Sequence, residues 1–119
     1  MLRIYHYPKC STCKKALTFL KDQGSALEAI DLVATPPSAA VLKDLHTRSG
    51  LPLAKLFNTS GESYRAGNFG DKLPGMTEAQ ALAALANDGK LIKRPIIDTG
   101  QRVIVGFTEA ARAQLASVL

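Results

Sequence analysis

Hydrophobic and polar side chains alternate over residues 2–7, a pattern that is typical of a half-buried β-strand. From Ala16 onwards the apolar side chains recur at helical spacing, and this pattern stops at Gly24, a residue type that commonly follows a helix. Residues 26–32 then predict a second strand. A strand, a helix and a strand in this order indicate a βαβ unit with two parallel strands.

The middle third of the chain, about residues 38–88, predicts a helical insertion made of short helices and connections. Ser38 follows a proline-rich turn and can cap a helix over residues 39–49, which Gly50 is expected to end. Residues 51–57 favour a further short helix that begins near a proline. The first half of the insertion is therefore expected to be mainly helical.

The second half of the insertion predicts two more helices separated by a connection. Residues 62–67 favour a short helix, and residues 68–75 are expected to be loop. Thr77 and Gln80 have the spacing of a capping box, which places a helix start at Thr77. The sequence Asn-Asp-Gly at residues 87–89 is expected to end that helix.

The last third predicts a hairpin followed by a helix. Pro95 directly precedes two β-branched residues, and a sheet tolerates proline at the first position of a strand. A turn over residues 99–102 would connect this strand to a return strand over residues 103–105. Thr108 can cap a final helix. The whole chain thus predicts an α/β fold with a small mixed sheet, built from a βαβ unit and a C-terminal ββα unit.

Length and composition fit a single domain over residues 1–119. A chain of 119 residues can bury a substantial core, and 46% hydrophobic and 21% charged residues are ordinary values for a soluble protein. No apolar run approaches the roughly 18 residues of a membrane span, and the first residues lack the features of a signal peptide. We therefore expect a cytoplasmic monomer without a membrane segment.

The formal net charge is +5, which suits an anionic substrate or an acidic partner. The lysines are dispersed along the chain, and only seven aromatic residues could stack on nucleic-acid bases. A solvated basic surface is therefore favoured over direct binding of nucleic acid.

The two cysteines of the chain, Cys10 and Cys13, lie between the first predicted strand and the first predicted helix. Cys10 falls just before or at the start of that helix, where Ser11 or Thr12 is available as a cap. Free backbone N–H groups and the helix dipole stabilise an anion there, and the thiolate is the reactive form of cysteine. Three lysines add positive charge close by: Lys9, Lys14 and Lys15. We predict a lowered pKa and a nucleophilic role for Cys10, with Cys13 placed to resolve a mixed disulfide.

A C-x-x-C motif is also compatible with three other roles. A structural zinc site needs about four ligands. The remaining candidate ligands, His6 and His46, show no paired metal-ligand spacing, so no bound metal is expected. A structural disulfide across so short a loop would constrain the unfolded chain little. The third alternative is a pair of buried cysteines that pack as small hydrophobic residues, which the strand–C-x-x-C–helix context disfavours.

Three stretches carry a resemblance to a known family: residues 7–16 (YPKCSTCKKA), residues 57–61 (FNTSG) with Tyr64 and Arg65, and residues 91–97 (LIKRPII) followed by Val105, Gly106 and Phe107. In this order they resemble the arsenate reductase (ArsC)-like family, including its Spx/MgsR branch. The resemblance covers essentially the whole chain, and it implies a thioredoxin-like fold.

The resemblance also implies roles for three residues. Cys10 corresponds to the nucleophilic cysteine of the family, Arg94 to an arginine beside that cysteine, and Pro95 to the cis-proline that faces the active site. A guanidinium can bind a tetrahedral oxyanion through two hydrogen bonds, and it would lower the pKa of a neighbouring thiol. A cis X–Pro bond is uncommon, so this expectation is distinctive.

The chain departs from the family pattern in its charges. Glutaredoxin-dependent arsenate reductases of the family use three arginines around the anion, and the positions of two of them hold Asn58 and Gly106 here. The same enzymes typically have a hydroxyl residue in place of Cys13. Arg65 is either a further anion contact or an exposed arginine, and both interpretations stay open. The candidate substrate-binding residues are Lys9, Ser11, Thr12, Asn58, Arg65 and Pro95.

These implications favour a thiol-dependent oxidoreductase of arsenate reductase-like type, in which Cys10 attacks a small oxyanion or a disulfide. No bound cofactor is expected, and glutathione with glutaredoxin, or thioredoxin, would restore the dithiol. The alternative is a regulator that resembles Spx, binds RNA polymerase and uses the two cysteines as a redox switch. Fold and charge alone do not separate these two functions.

Overall fold

A computed structural model describes residues 2–119, so that Met1 of the predicted domain lies outside the described part. The described residues form four strands: β1 (Leu2–His6), β2 (Leu27–Asp31), β3 (Ile96–Asp98) and β4 (Val103–Val105). They also form six helices: α1 (Ser11–Asp22), α2 (Ala39–Ser49), α3 (Glu62–Ala66), α4 (Phe69–Lys72), α5 (Glu78–Asn87) and α6 (Glu109–Val118). Three short 3-10 turns lie at Leu53–Leu56, Leu73–Gly75 and Gly89–Leu91.

The strands form one mixed sheet in the order β2–β1–β3–β4. β1 runs parallel to β2 and antiparallel to β3, and β3 is antiparallel to β4. In the centre of the sheet Ile4 lies opposite Ile97, and Ile97 lies opposite Ile104. The predicted α/β fold, with a βαβ unit, a helical insertion and a C-terminal ββα unit, is confirmed.

Side chains alternate across the sheet, so each face has its own core. On one face Ile4 and Ile97 pack with Leu20 of α1 and Leu115 of α6. The insertion covers the other face through a buried cluster that includes Leu42, Leu45, Leu82 and Leu85. α1, which follows β1 directly after Cys10 and carries Cys13 in its first turn, is therefore held against the sheet. Within residues 2–119, no helix is both long enough and apolar enough to cross a membrane.

Three helix N-caps predicted from the sequence, those of α2, α5 and α6, are confirmed. Ser38 caps α2 and Thr108 caps α6 through hydrogen bonds that their hydroxyl groups accept. Thr77 and Gln80 form the predicted capping box at the start of α5. Gly50 ends α2 with a φ of 69°, a backbone conformation that favours glycine. Each of these features depends on residues within one helical turn, which explains why the local pattern was sufficient.

The prediction of a loop over residues 68–75 is wrong. The segment contains α4 and the 3-10 turn Leu73–Gly75. The Phe69 ring packs against the Phe57 ring, with centroids 5.8 Å apart, and Leu73 also contacts the core of the insertion. These contacts join residues that are separated along the chain, so tertiary packing overrides a weak local pattern.

An ion pair ties α2 to the strand that follows Pro95. Asp98 on β3 is only 8% exposed, and both of its carboxylate oxygens accept hydrogen bonds from Arg48, at 2.7 and 2.8 Å. Arg48 also contacts the more exposed carboxylate of Asp44. The hydrogen bonds from Arg48 hold the pKa of Asp98 below its usual range, although burial acts in the opposite direction.

We expect Asp98→Asn to lower the melting temperature at pH 7, at a cost of about 2 kcal/mol for a half-buried, hydrogen-bonded pair. Because the folded-state pKa lies below the unfolded value of about 3.9, the carboxylate stabilises the fold above that pH. The stabilisation disappears as the pH falls through the lower, folded-state pKa. Thermal unfolding of both proteins between about pH 2 and pH 7 measures the difference.

Asp44→Asn is the matched control for this prediction, because it removes the exposed partner of the same arginine. Its expected cost is roughly 0.5 kcal/mol, as for other exposed ion pairs. An Asp98→Asn penalty that is as large at pH 2 as at pH 7 would contradict the assignment of the pH dependence to this carboxylate.

Candidate active site

Cys10 is the residue at which the chain leaves the first strand and enters α1. Its N–H donates a hydrogen bond of 2.9 Å to the Tyr7 carbonyl oxygen, and its backbone is extended, with φ −88° and ψ 121°. Cys10 is the N-cap residue of α1, and its side chain makes no capping hydrogen bond. The expectation that Ser11 or Thr12 caps the helix is therefore wrong, because both residues already lie in its first turn.

Cys13 lies one turn further along α1, on the buried side of the helix. Its side chain is 0% exposed, and its sulfur accepts a long hydrogen bond of 3.5 Å from the Tyr7 N–H. Burial raises the pKa of Cys13 to about 12. Both cysteines are free thiols. Cys13 is therefore protonated at neutral pH and shielded from solvent.

The Cys10 thiol has the opposite character. Partial burial alone would raise its pKa, but the polar groups of Cys13, both its backbone N–H and its side chain, and the Arg94 guanidinium favour the thiolate and outweigh this effect. The Thr12 N–H contributes in the same direction, and the net result is a pKa of Cys10 below the ordinary thiol value. The free N–H groups at the helix start thus stabilise a thiolate, as P-loop-like helix N-termini stabilise other anions. The two thiols of one motif differ in both exposure and acidity.

Arg94 reaches this site from the other end of the chain. The Arg94–Pro95 peptide bond is cis, as the resemblance implies, and the buried Pro95 leads directly into β3. The guanidinium carbon of Arg94 lies 5.0 Å from the centre of the Tyr7 ring, and one of its N–H groups donates to the Lys90 carbonyl oxygen over 3.4 Å. Stacking on an aromatic ring and a backbone hydrogen bond orient the charge beside Cys10.

Arg94 lines two cavities of about 270 Å³ each. The first is lined by Tyr7, Asn58, Gly61, Glu62, Ser63, Lys90 and Arg94. The second is lined by Thr12, Lys93, Arg94, Val105, Gly106, Phe107 and Thr108. Asn58 and Thr12 therefore line different cavities that share Arg94.

The structure does not bring every candidate residue to Arg94. Lys9 and Ser11 are exposed and flank Cys10 in the sequence. Arg65 donates a hydrogen bond of 3.0 Å to the Ser60 carbonyl oxygen and lines neither cavity. This placement favours the interpretation of Arg65 as an exposed arginine held by its own loop.

Sequence reasoning did not single out Tyr7, Lys90 and Lys93 as site residues. Lys90, Lys93 and Arg94 form a basic cluster directly before Pro95, and this cluster was the available signal. The position of Tyr7 under the Arg94 guanidinium depends on the packing of β1 beside β3. Among residues 2–119, no three Cys, His, Asp or Glu side chains are grouped as a metal ion requires.

We expect Arg94→Met to raise the pKa of Cys10, because the substitution removes a positive charge beside the thiolate and keeps an extended side chain. The rate of alkylation by iodoacetamide, followed against pH, measures this pKa, and Cys13 does not interfere below about pH 9. At pH 6.5 the variant should react several-fold more slowly than the wild type. Arg65→Met is the control, and an equal shift in both variants would rule out a specific role for Arg94.

The fold and the site define the class to which this protein belongs: thioredoxin-like proteins with a cysteine pair at the start of the first helix and a cis-proline directly before the third strand. Within this class the chain belongs to the ArsC family, whose model matches residues 5–115. The match spans the cysteine motif, the insertion and the Arg94–Pro95 segment.

Comparison with curated proteins gives relatives of several kinds. The chain is 48% identical over 108 residues to the uncharacterized protein YusI of Bacillus subtilis, covering 91% of this chain and 92% of YusI. It is 30% identical over 106 residues to an arsenate reductase of Neisseria meningitidis, covering 88% and 89% of the two chains. The global transcriptional regulator Spx 2 of Lactococcus lactis is a more distant relative, 25% identical over 109 residues, with 92% and 81% covered.

Solved structures show the same family relationship. A crystal structure of a possible arsenate reductase from Streptococcus mutans superposes with a TM-score of 0.88 at 42% identity, covering 98% of each chain. An arsenate reductase from Vibrio cholerae superposes with a TM-score of 0.85 at 31% identity, covering 99% of this chain and 97% of the other. The relatives of this chain thus include arsenate reductases as well as a regulator.

Proposed function

We propose that this protein is a thiol-dependent oxidoreductase of arsenate reductase-like type, with Cys10 as nucleophile and Cys13 as resolving thiol. One observation carries the proposal: Cys10 and Cys13 lie at the start of the same helix, and their pKa values are shifted in opposite directions. Enzymes commonly assign different roles to two titratable groups in this way. The partly exposed Cys10, whose pKa is lowered, suits attack on a substrate, whereas the buried Cys13, whose pKa is raised, suits the second step.

With a disulfide as substrate, the Cys10 thiolate attacks one substrate sulfur and the substrate S–S bond breaks. The departing thiolate takes up a proton, and a mixed disulfide with Cys10 remains. Cys13 then loses its proton and attacks the Cys10 sulfur, which releases the second substrate thiol and forms the Cys10–Cys13 disulfide. The substrate gains two electrons, and the protein dithiol loses them.

With arsenate as substrate, the Cys10 thiolate displaces one oxygen as water and forms a sulfur–arsenic bond. Cys13 then attacks the Cys10 sulfur, the sulfur–arsenic bond breaks with its electron pair on arsenic, and arsenite leaves. Arg94 is suited to hold the oxyanion during both steps, because it lies beside Cys10 and lines two cavities. Family membership and the arsenate reductases among the relatives support an oxyanion as substrate.

The charge around Arg94 limits how strongly the site would bind a multiply charged oxyanion. Asn58 lines one cavity and Gly106 the other, and neither supplies a positive charge. Besides Arg94, the cations that line them are Lys90 in the first cavity and Lys93 in the second, and a lysine lacks the planar fork with which a guanidinium binds an oxyanion. A second thiol in place of a hydroxyl residue favours disulfide exchange. Two molecules of glutathione, alone or with glutaredoxin, or one molecule of thioredoxin would supply the two electrons that restore the dithiol.

The test is a pair of assays on the reduced protein. One contains arsenate with glutathione and glutaredoxin, and the other contains a small disulfide such as hydroxyethyl disulfide with glutathione. Turnover in either assay, together with a Cys10–Cys13 disulfide detected by mass spectrometry after a single turnover, is the expected result. No turnover in both assays and no disulfide under oxidising conditions would overturn the proposal.

A redox-sensing regulator is the second candidate, and the relationship to Spx 2 favours it. In this case the Cys10–Cys13 pair acts as a switch, and RNA polymerase is the partner. A pull-down of purified RNA polymerase by the reduced and the oxidised protein separates the two functions. Redox-dependent capture of the polymerase without turnover of either substrate would support the regulator.

A further inference from the structure

A groove between α1 and α6 begins beside the active site and is not used in the chemistry described above. It has a volume of about 420 Å³. The residues that line it include Lys14, Lys15, Phe19, Asp22, Phe107 and Arg112. We refer to this feature as the α1–α6 groove.

The floor of the α1–α6 groove is aromatic. The rings of Phe19 and Phe107 contact each other with centroids 5.7 Å apart, and both pack against the buried core of this face of the sheet. The Arg112 guanidinium carbon lies 5.1 Å from the centre of the Phe19 ring. Packing from below and a cation above fix the rings, so the floor is a preformed apolar surface that an apolar side chain can cover.

The walls of the α1–α6 groove carry an excess of positive charge. Lys14, Lys15 and Arg112 face a single carboxylate, Asp22. Within residues 2–119 none of these three cations lies within 4.0 Å of a carboxylate oxygen, although Arg3 and Arg48 form ion pairs elsewhere. An aromatic floor between unpaired cations complements a segment that carries carboxylates around an apolar side chain.

The α1–α6 groove is continuous with the active site. Phe107 lines both the groove and the cavity that contains Thr12 and Arg94. Lys14 follows Cys13 directly in α1, and its N–H donates to the Cys10 carbonyl oxygen over 3.1 Å. A partner seated on Phe19 and Phe107 would therefore have its neighbouring surface near Thr12 and Arg94, the residues that act on the Cys10 thiol.

We propose that the α1–α6 groove docks an acidic segment of the partner protein that exchanges disulfides with Cys10. The inference rests on the proposed function and adds a partner of defined chemistry to it. Small thiols do not need an extended surface, whereas a protein thiol must be oriented against Cys10. Nucleic acid is disfavoured as occupant, because specific and non-specific complexes typically use about six to ten phosphate contacts and the groove offers three cations with one carboxylate.

The partner reduces the Cys10–Cys13 disulfide in two steps. A thiolate of the partner attacks the Cys10 sulfur of the Cys10–Cys13 disulfide, because Cys13 is buried, and Cys13 leaves and takes up a proton. The second thiol of the partner then loses a proton and attacks the partner's own mixed-disulfide sulfur, which releases Cys10 as thiolate. The partner becomes a disulfide, and this protein regains its dithiol.

The test compares two double charge reversals with the same net charge. Lys15→Glu with Arg112→Glu changes the groove, and Lys55→Glu with Arg102→Glu changes exposed residues elsewhere. Each pair of substitutions lowers the formal net charge from +5 to +1. The oxidised proteins are reduced with an acidic thioredoxin at low and high salt, and separately with dithiothreitol.

We expect the groove variant to react about tenfold more slowly with the acidic thioredoxin at low salt, and to lose most of the salt dependence of the wild type. The ratio of its rate with thioredoxin to its rate with dithiothreitol should also fall about tenfold, because this ratio removes any effect of the Lys15 charge on the Cys10 sulfur itself, and the control variant should stay within about twofold of the wild type in both assays. Lys15→Glu alone should give an intermediate decrease in the rate with the acidic thioredoxin. Because Lys15 is exposed, this single variant keeps the test valid if the double variant is unstable.

Equal losses in the groove variant and the control variant would overturn the proposal, since net charge would then be the cause. An unchanged rate with thioredoxin in the groove variant would overturn the proposal as well. So would binding of a DNA duplex or an anionic vesicle, if it is stronger than binding of thioredoxin and depends on Lys15 and Arg112. Failure of the proposed oxidoreductase function can be told apart from failure of the docking proposal. In the first case the wild type would form no Cys10–Cys13 disulfide for dithiothreitol to reduce. In that case docking is measured by the NMR chemical-shift changes of α1 and α6 on addition of reduced thioredoxin. If these shifts do not change, the α1–α6 groove is not a docking site for thioredoxin.

Discussion

Replacing Cys10 by serine is expected to lower turnover of a small disulfide by at least about a thousandfold, because a serine hydroxyl is not ionised near neutral pH and cannot take the place of the thiolate. The backbone N–H groups and the guanidinium that favour the Cys10 thiolate would remain in place, without an ionisable group to act on. Steady-state assays with hydroxyethyl disulfide and glutathione measure the loss.

Cys13→Ser is the matched variant for this prediction. It keeps the ionisable thiol and removes the resolving thiol, so the first step proceeds and a mixed disulfide accumulates on Cys10. Intact-protein mass spectrometry detects this adduct in Cys13→Ser and not in Cys10→Ser. Unchanged turnover in Cys10→Ser, or an adduct located on Cys13 in the wild type, would reverse the assignment of the two roles.

Gly89→Ala is expected to have the largest effect on stability. Gly89 is buried at the start of the 3-10 turn Gly89–Leu91, where it lies against the backbone just after β2. A Cβ atom added here would overlap the Leu32 carbonyl oxygen and would lie 2.6 Å from the Leu32 carbonyl carbon. Backbone atoms cannot rotate away as a side chain can, so one of the two segments must move.

We expect this substitution to cost about 3 kcal/mol or more, because overpacking against backbone lies at the upper end of the measured range. The melting temperature would fall by roughly 10 °C in a chain of this size. Gly75→Ala is the control, because a Cβ atom there meets nothing within 4 Å and its melting temperature should hardly change. Equal melting temperatures for Gly89→Ala and Gly75→Ala would show that the close approach to Leu32 is not a structural requirement.

The displacement caused by Gly89→Ala should also reach the active site. The turn at Gly89–Leu91 is followed within a few residues by Arg94, and the Lys90 carbonyl oxygen accepts a hydrogen bond from the Arg94 guanidinium. A glycine that permits close approach in one place thus helps to position a charge in another. Nothing in the local sequence distinguishes Gly89 from a glycine that only ends a helix.

Sequence reasoning was most accurate where neighbouring residues decide the structure. The position of Cys10 at the start of α1, the capping box of Thr77 and Gln80, and the opening of β3 after Pro95 all depend on contacts within a few residues. The same reasoning missed α4, because Phe69 is held in place by Phe57 from another part of the insertion. It also placed the cap of α1 one or two residues too late.

The sequence by itself determined the order along the chain of the four strands and of every described helix except α4, the cysteine pair at the start of α1, and a surplus of positive charge. These properties follow from side-chain periodicity, capping residues and composition, which act locally or without regard to fold. Only the tertiary structure decided that Arg94 stacks on Tyr7 beside Cys10, that Cys13 is buried while Cys10 is not, and that α1 and α6 enclose a basic groove. The physical reason is that burial and charge proximity arise when segments far apart in the chain pack together, and no local pattern encodes which side chains will then meet.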